Sequence, residues 1–350
     1  MNVDMARKEI KYLLKNPLVY LGMVIISFII IFNVGVYTDL YKNTTKTEEQ
    51  QYADLGIVDG FIPTTFKDQK EQVIQRIYQS LIEDYQVSPE NAQDIVNDLK
   101  ELNSQEEIEK CILQRYDMPG VKNLFEEYSA KKATIDEMKI YLDKLFEKEK
   151  YVESLSYKYI DFLGISLIYF SIIVFVFIFS RDMKKDIYSL LHTKPISART
   201  YILTKLFSGL IPLYMYSIIA TIVFDIVANI VSHKYGFTGE WVSVWIKLVL
   251  LILPNILMIG TFFIFITICF KSVLPTLPAL LVYATYSNMG RMLEDGYRYV
   301  PNPLAIVVRF PNELTKNYLP KEVIFNQILL CIIAVVLLFV SIHLWEKKKG

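Results

Sequence analysis

Very few side chains in this sequence are spaced to do chemistry, and those few point to docking and passage rather than bond-making. Asp225 is the one carboxylate set well inside a long apolar run. An ionisable group there is costly unless it faces a cavity or a partner, which makes Asp225 a candidate pathway residue. If the run begins near Lys205, the same carboxylate falls toward an interface and is simply solvated, and the sequence leaves both readings open. The second candidate is the segment 181–205, where Met183, Ile187, Leu190 and Leu191 are interleaved with Lys184, Lys185, Asp186 and Lys194. Ile187, Leu190 and Leu191 stand at i, i+3 and i+4 and so share one helical face, with Asp186 and Lys194 on its rim. Pro195 ends the helix because it has no N–H to donate. A short apolar knob flanked by charge suits the cleft of a soluble partner, as in helix-in-groove recognition. A helix resting in anionic lipid is the alternative.

Catalytic constellations are missing. No Gly-x-x-x-x-Gly-Lys-Ser/Thr run occurs, so the chain has no phosphate-cradling loop of its own. His-Glu-x-x-His and Gly-x-Ser-x-Gly are absent as well, which argues against the commonest zinc peptidase and hydrolase arrangements. His192, His233 and His343 are isolated, and Cys111, Cys269 and Cys331 give neither zinc spacing nor a pair in one oxidising compartment. The chain is therefore expected to be no enzyme and to hold no metal or cofactor.

The elements that must position these residues are read from hydrophobicity. Of the 350 residues 53% are apolar and 21% charged, with 37 basic residues against 37 acidic. The balance conceals a segregation. Residues 38–160 hold 16 Lys and Arg against 25 Asp and Glu, while the remainder holds 21 against 12. A zero net charge gives no reason to expect a nucleic-acid partner. Six stretches lack any charged residue, at 16–38, 162–180, 206–224, 248–270, 272–290 and 323–345. Each is near the roughly 20 residues that a helix needs to cross a bilayer. The third continues past Asp225 to Val231; the fifth, with Pro275 and Pro278 near its start, could also be a re-entrant or broken helix. The fold class is an all-α membrane protein with six spans.

Lys and Arg cluster in the loops that alternate with the acidic segment: Arg7 to Lys15, Arg181 to Lys205, Lys271 and Lys347 to Lys349. The positive-inside rule then places both termini in the cytoplasm of a multi-pass protein of the cell membrane, with residues 38–160 extracytoplasmic. Residues 1–16 read as an amphipathic helix on the inner bilayer surface, or as a solvated extension of the span at 17–37. Residues 38–160 read as an inserted helical domain. Ser104 with Glu107 and Thr134 with Glu137 each fit a capping box. No Gly or Pro interrupts 121–163, so the last helix of that domain is expected to run as a stalk into the second span. Residues 161–350 supply the other five spans, the loop 181–205 and a further outer segment at 288–322.

In plan the chain resembles the membrane subunit of a type-2 ATP-binding-cassette exporter. The resemblance lies in the N-terminal Lys8-Glu9-Ile10-Lys11-Tyr12-Leu13-Leu14-Lys15-Asn16-Pro17 element, in the loop with Leu190-Leu191 and Lys194-Pro195-Ile196-Ser197-Ala198-Arg199, in the six-span plan and in the segment before the last span. Asp182 and Asp186 stand where the family often carries Glu and Gly. The resemblance implies a permease that exports a peptide, drug or lipid-linked substrate. It also implies that Asp186, Ile187, Leu190, Leu191, Lys194 and Pro195 form a coupling helix seated in a separate ATPase subunit. ATP and Mg would be held by that ATPase, and the permease would work in the bilayer as a homodimer or with a second, related permease. The alternative from another class is a non-transporting sensor or scaffold whose extracytoplasmic domain binds a ligand.

Overall fold

The computed structural model describes residues 3–38, 61–148, 150–292, 299–310, 314 and 319–347. The chain divides into two compact units, one of Met1–Thr38 with Leu145–Gly350 and the other of Asp39–Lys144. Helix α1 (Val3–Leu14) buries Ala6, Glu9 and Leu13 along one face. Asn16 then accepts the Leu18 N–H on its side chain at 3.0 Å, and Pro17 opens α2 (Pro17–Gly35), which a 3₁₀ turn extends to Thr38. Proline suits that position because its fixed φ is already helical and its missing N–H would have no partner there.

The second unit is a small helical domain with its own core. Strand β1 (Phe61–Pro63) pairs antiparallel with β2 (Ala130–Lys132), placing Ile62 opposite Lys131. Four helices lie between them: α3 (Phe66–Glu83), α4 (Pro89–Glu101), α5 (Gln105–Tyr116) and α6 (Val121–Glu127). Val73, Ile77, Leu81, Leu99, Ile112 and Phe125 are among the residues that fill the space they enclose. Ser104 accepts the Glu107 N–H at 3.3 Å and starts α5. Helix α7 (Ile135–Lys148) opens with a reciprocal cap, Thr134 Oγ1 accepting from Glu137 N at 3.3 Å and Glu137 Oε2 accepting from Thr134 N at 3.0 Å.

No stalk helix joins α7 to the next span. Lys150 is extended, and α8 (Tyr151–Ser180) begins afresh after it. There follow α9 (Lys185–Thr193), α10 (Ala198–Lys234) and α11 (Ser243–Lys247). Helix α11 passes through a π-helical turn at Leu248–Ile252 into α12 (Leu253–Phe270). Pro254, which cannot donate to the helical ladder, accounts for that turn. The chain ends with α13 (Thr276–Asn288), the two-residue strands β3 (Arg291–Met292) and β4 (Tyr299–Val300), and α14 (Lys321–Lys347).

Among the described residues five helical stretches are long and apolar enough to cross a bilayer: Pro17–Thr38, Tyr151–Ser180, Ala198–Lys234, Ser243–Phe270 and Lys321–Lys347. The described residues are thus mostly helical with almost no sheet, compatible with a multi-pass membrane protein. The stretch 272–290 behaves differently. Its helix α13 has 13 residues, about 20 Å at ~1.5 Å per residue, against a hydrocarbon core of roughly 30 Å. The connection still runs from one end of the bundle to the other. Lys271 lies over the Tyr188 ring of α9, and Trp345, near the end of α14, packs on the same ring. The first turn of α14 is then roughly 36 Å away at ~1.5 Å per residue, so Lys271 and the start of α14 lie toward opposite ends of the bundle. Between α13 and α14 the described residues form the β3–β4 pair, irregular chain and a 3₁₀ position at Leu314.

The centre of the bundle is closed by one ring. Phe175 of α8 is fully buried between Gly209 of α10 and Gly260 of α12; a Cβ added at Gly260 would lie 2.7 Å from Phe175 Cζ. Small residues at a crossing let membrane helices approach closely, and here they make room for an aromatic wedge.

Candidate functional site

The segment singled out for docking sits on a rigid base. After α8 the chain turns through Arg181 and Asp182, forms α9, and restarts at Ser197, whose hydroxyl accepts the Thr200 N–H at 3.2 Å. Helix α9 has no buried side chain. Its outer face carries Lys185, Asp186, Ser189, Leu190 and Thr193, with Leu190 55% exposed. Ile187 and Leu191 are half-buried, while Lys194 and Pro195 stand exposed at its end. The three apolar residues expected to share one free face therefore split, with Leu190 projecting and Ile187 and Leu191 flanking it.

The inner face is aromatic. His192 packs on Trp345 of α14 at 4.3 Å and on Tyr188 at 4.3 Å, and Trp345 stacks on Tyr201 of α10 at 4.3 Å with 19° between planes. Burial raises the Tyr188 phenol above its ordinary pKa. Behind this stack lies a buried charge cluster. The Lys205 ammonium is completely inaccessible; it donates to Glu9 Oε1 at 2.9 Å and the Ile178 carbonyl at 3.2 Å and forms an ion pair with Asp182 Oδ2 at 2.6 Å. Arg181 adds a contact to Glu9 Oε1 at 3.2 Å, and Tyr201 donates to Asp182 Oδ2 at 2.9 Å. Two carboxylates and two cations leave the cluster neutral. It ties α1, the end of α8 and the start of α10 together directly beneath α9. Through Glu9 and Trp345 the first and last helices meet at this same end of the bundle.

Asp225 belongs elsewhere. It lies 27 positions along α10 from Ala198, about 40 Å at ~1.5 Å per residue. Its Oδ2 accepts from Trp245 Nε1 at 3.0 Å and its Oδ1 from Asn229 Nδ2 at 3.2 Å. Asn229 in turn accepts the Glu240 N–H at 2.9 Å. The carboxylate thus fastens α10 to the start of α11. Other ionisable groups are similarly satisfied at this remote end: Lys247 donates to Ser156 Oγ at 2.8 Å and lies 3.9 Å from the Tyr157 ring centroid, and Asp161 pairs with Arg309.

No protein-family model, curated protein or solved structure matches this chain. The arrangement itself offers a projecting amphipathic helix on a braced base. Glu9, Lys205, Tyr201 and Trp345 are the residues that the sequence reading passed over. One signal was present for Glu9: it shares the i, i+3, i+7 face with Ala6 and Leu13, an acid on the apolar side of a helix.

Proposed function

We propose that the chain is the membrane-spanning permease subunit of an ATP-binding-cassette transporter, an exporter driven by a separate ATPase that docks on α9. The observation that carries this reading is the build of α9. Its inner face, with Tyr188 and His192, packs on Trp345, and its outer face projects an apolar side chain, Leu190, 55% exposed, from that aromatic and ionic base. A rigid base is what a coupling element needs, because displacement of α9 by a partner must move α8, α10 and α14 rather than dissipate in a loop. Helix α1 and the end of α14 meet at the end of the bundle that carries α9, which supports an even number of crossings, and the Lys and Arg bias of the loops supports cytoplasmic termini with residues 38–160 outside. The pathway would be completed by a second copy or a related permease.

Nucleotide turnover tests the reading. The purified chain alone should hydrolyse no ATP above background, and addition of its cognate ATPase in lipid should give hydrolysis. Specific turnover by the isolated polypeptide would end the permease-subunit assignment. The sensor reading rests on a separate observation, the independent core of the unit Asp39–Lys144, and would be favoured if a ligand bound that unit while no ATPase associated with the chain.

A further inference from the structure

A crevice of about 410 Å³ lies among three helices of the bundle, lined by Ile30 and Val34 of α2, Leu155 and Tyr159 of α8, and Ala220 and Phe224 of α10, among others. Its level follows from chain direction. The lining comes from the second half of α2, the beginning of α8 and the second half of α10. Consecutive spans run in opposite senses, so all three portions lie at the end remote from α9. The crevice thus belongs to one leaflet. Its upper limit is Thr38, whose carbonyl accepts from Tyr235 OH at 3.1 Å.

The walls name the occupant. Ser27 Oγ and Tyr216 OH are 2.9 Å apart, and Tyr159 OH and Thr221 Oγ1 are 3.0 Å apart, with Thr221 donating on to the Ser217 carbonyl at 2.8 Å. These hydroxyls answer one another along the wall. The Tyr159 ring lies flat on Phe224 at 4.0 Å, and most of the remaining lining is aliphatic, including Ile30, Val34, Leu155, Ala220 and Val227. An ordered water needs two to four polar partners, and this wall turns its polar groups to each other instead. The rim residues Ile31, Ile219 and Val223 are 69%, 57% and 58% exposed, so the crevice opens sideways between α2 and α10. A helix from a second copy, about 10 Å across with its side chains, is a poor fit to a concavity of this volume. A single hydrocarbon chain is slender enough to enter from the side.

We propose that this crevice is a binding site for one acyl chain of a phospholipid drawn from the leaflet remote from α9. The inference rests on the five long helices crossing a bilayer; it does not rest on transport or on an ATPase. In the topology proposed above the lipid comes from the outer leaflet.

The test uses the full chain in nanodiscs of phosphatidylcholine carrying a diazirine on one acyl chain, with photo-adducts mapped by mass spectrometry. A site preferred over bulk lipid by about tenfold, or ~1.4 kcal/mol, concentrates adducts by that factor on residues 27–38 and 216–228 relative to the exposed face of α14. Ala220→Trp fills the crevice and should abolish the excess while leaving adducts at Phe325 and Phe339 unchanged. Val223→Trp on the rim serves the same purpose if the first variant is not monodisperse. Equal labelling of every exposed apolar face, or full labelling in a folded filled variant, would overturn the proposal. So would disulfide-linked dimers in the bilayer of an Ile31→Cys variant whose Cys111, Cys269 and Cys331 are replaced by Ser, since a second copy would then cover the crevice. Release of the chain from membranes by alkaline extraction would overturn the spanning reading and this inference with it, whereas absence of ATPase association would leave this inference standing.

Discussion

Replacing Lys205 by Met probes the buried cluster beneath α9. The ammonium is fully inaccessible and contacts Glu9 Oε1 at 2.9 Å, Asp182 Oδ2 at 2.6 Å and the Ile178 carbonyl at 3.2 Å. Methionine keeps most of the stem and removes all three donors, leaving two carboxylates to share Arg181, whose side chain is half exposed. Breaking a buried pair in this way costs about 3–5 kcal/mol, because the surviving charge stays buried without its partner. In a unit of this size each kcal/mol moves the unfolding midpoint by roughly 2–4 °C, so the apparent midpoint should fall by about 6–20 °C. Tryptophan emission on heating is a suitable readout, since Trp345 stacks on Tyr201, which itself donates to Asp182. The discriminating variant is the triple Lys205→Met, Glu9→Gln, Asp182→Asn, which removes the stranded charges too. It should be more stable than Lys205→Met alone, a coupling of about 1–3 kcal/mol between neighbours. If Lys205→Met shifts the midpoint by less than about 2 °C, or the three changes simply add, the cluster does not brace α9 as argued.

Two further outcomes are expected. Gly260→Leu drives a branched side chain into the Phe175 ring, already 2.7 Å from a bare Cβ, and should destabilise the bundle by about 1–3 kcal/mol, with partial recovery in Phe175→Leu. In the other unit the Thr134 N–H, then Lys131, hold the Glu137 carboxyl down to about 2. A carboxyl depressed on folding stabilises above its unfolded pKa of about 4.3, and the contribution is lost as pH falls from there toward 2. Carboxyl-carbon titration of Glu137 should therefore show a midpoint near the lower value, and Lys131→Met should move it upward.

The helical class, the caps and the short helix before Pro195 were legible because each is local. Thr134 with Glu137 and Asn16 with Pro17 announce helix starts within four residues, and Pro195 announces a stop. Span boundaries were not legible to the same degree, and the reason is physical. Counting charge-free residues starts the second span at 162 and the third at 206, but α8 starts at Tyr151 and α10 at Ala198. Lys158, Asp161, Lys205 and Asp225 lie inside those helices because each finds a partner there, on Phe310, Arg309, Glu9 or Trp245. Those partners are 20 to 196 positions away in the chain, beyond the reach of any window. The fifth stretch, left open in sequence as a span or a broken helix, is helical only over Thr276–Asn288 after the turn at Ser272–Pro275. Asp225 was flagged for its isolation among apolar residues, and only the fold could reveal Trp245 as its partner.

Affinity capture of the full chain from its native membranes, with Leu190→Ala beside the wild type, addresses the central claim most directly. The wild type should retain a Walker-motif ATPase in a fixed ratio. Truncating a projecting Leu at the centre of an interface costs about 2 kcal/mol when it is a hot spot, so Leu190→Ala should weaken that association roughly thirtyfold. Capture without any ATPase, or undiminished ATPase affinity in Leu190→Ala, would contradict the account.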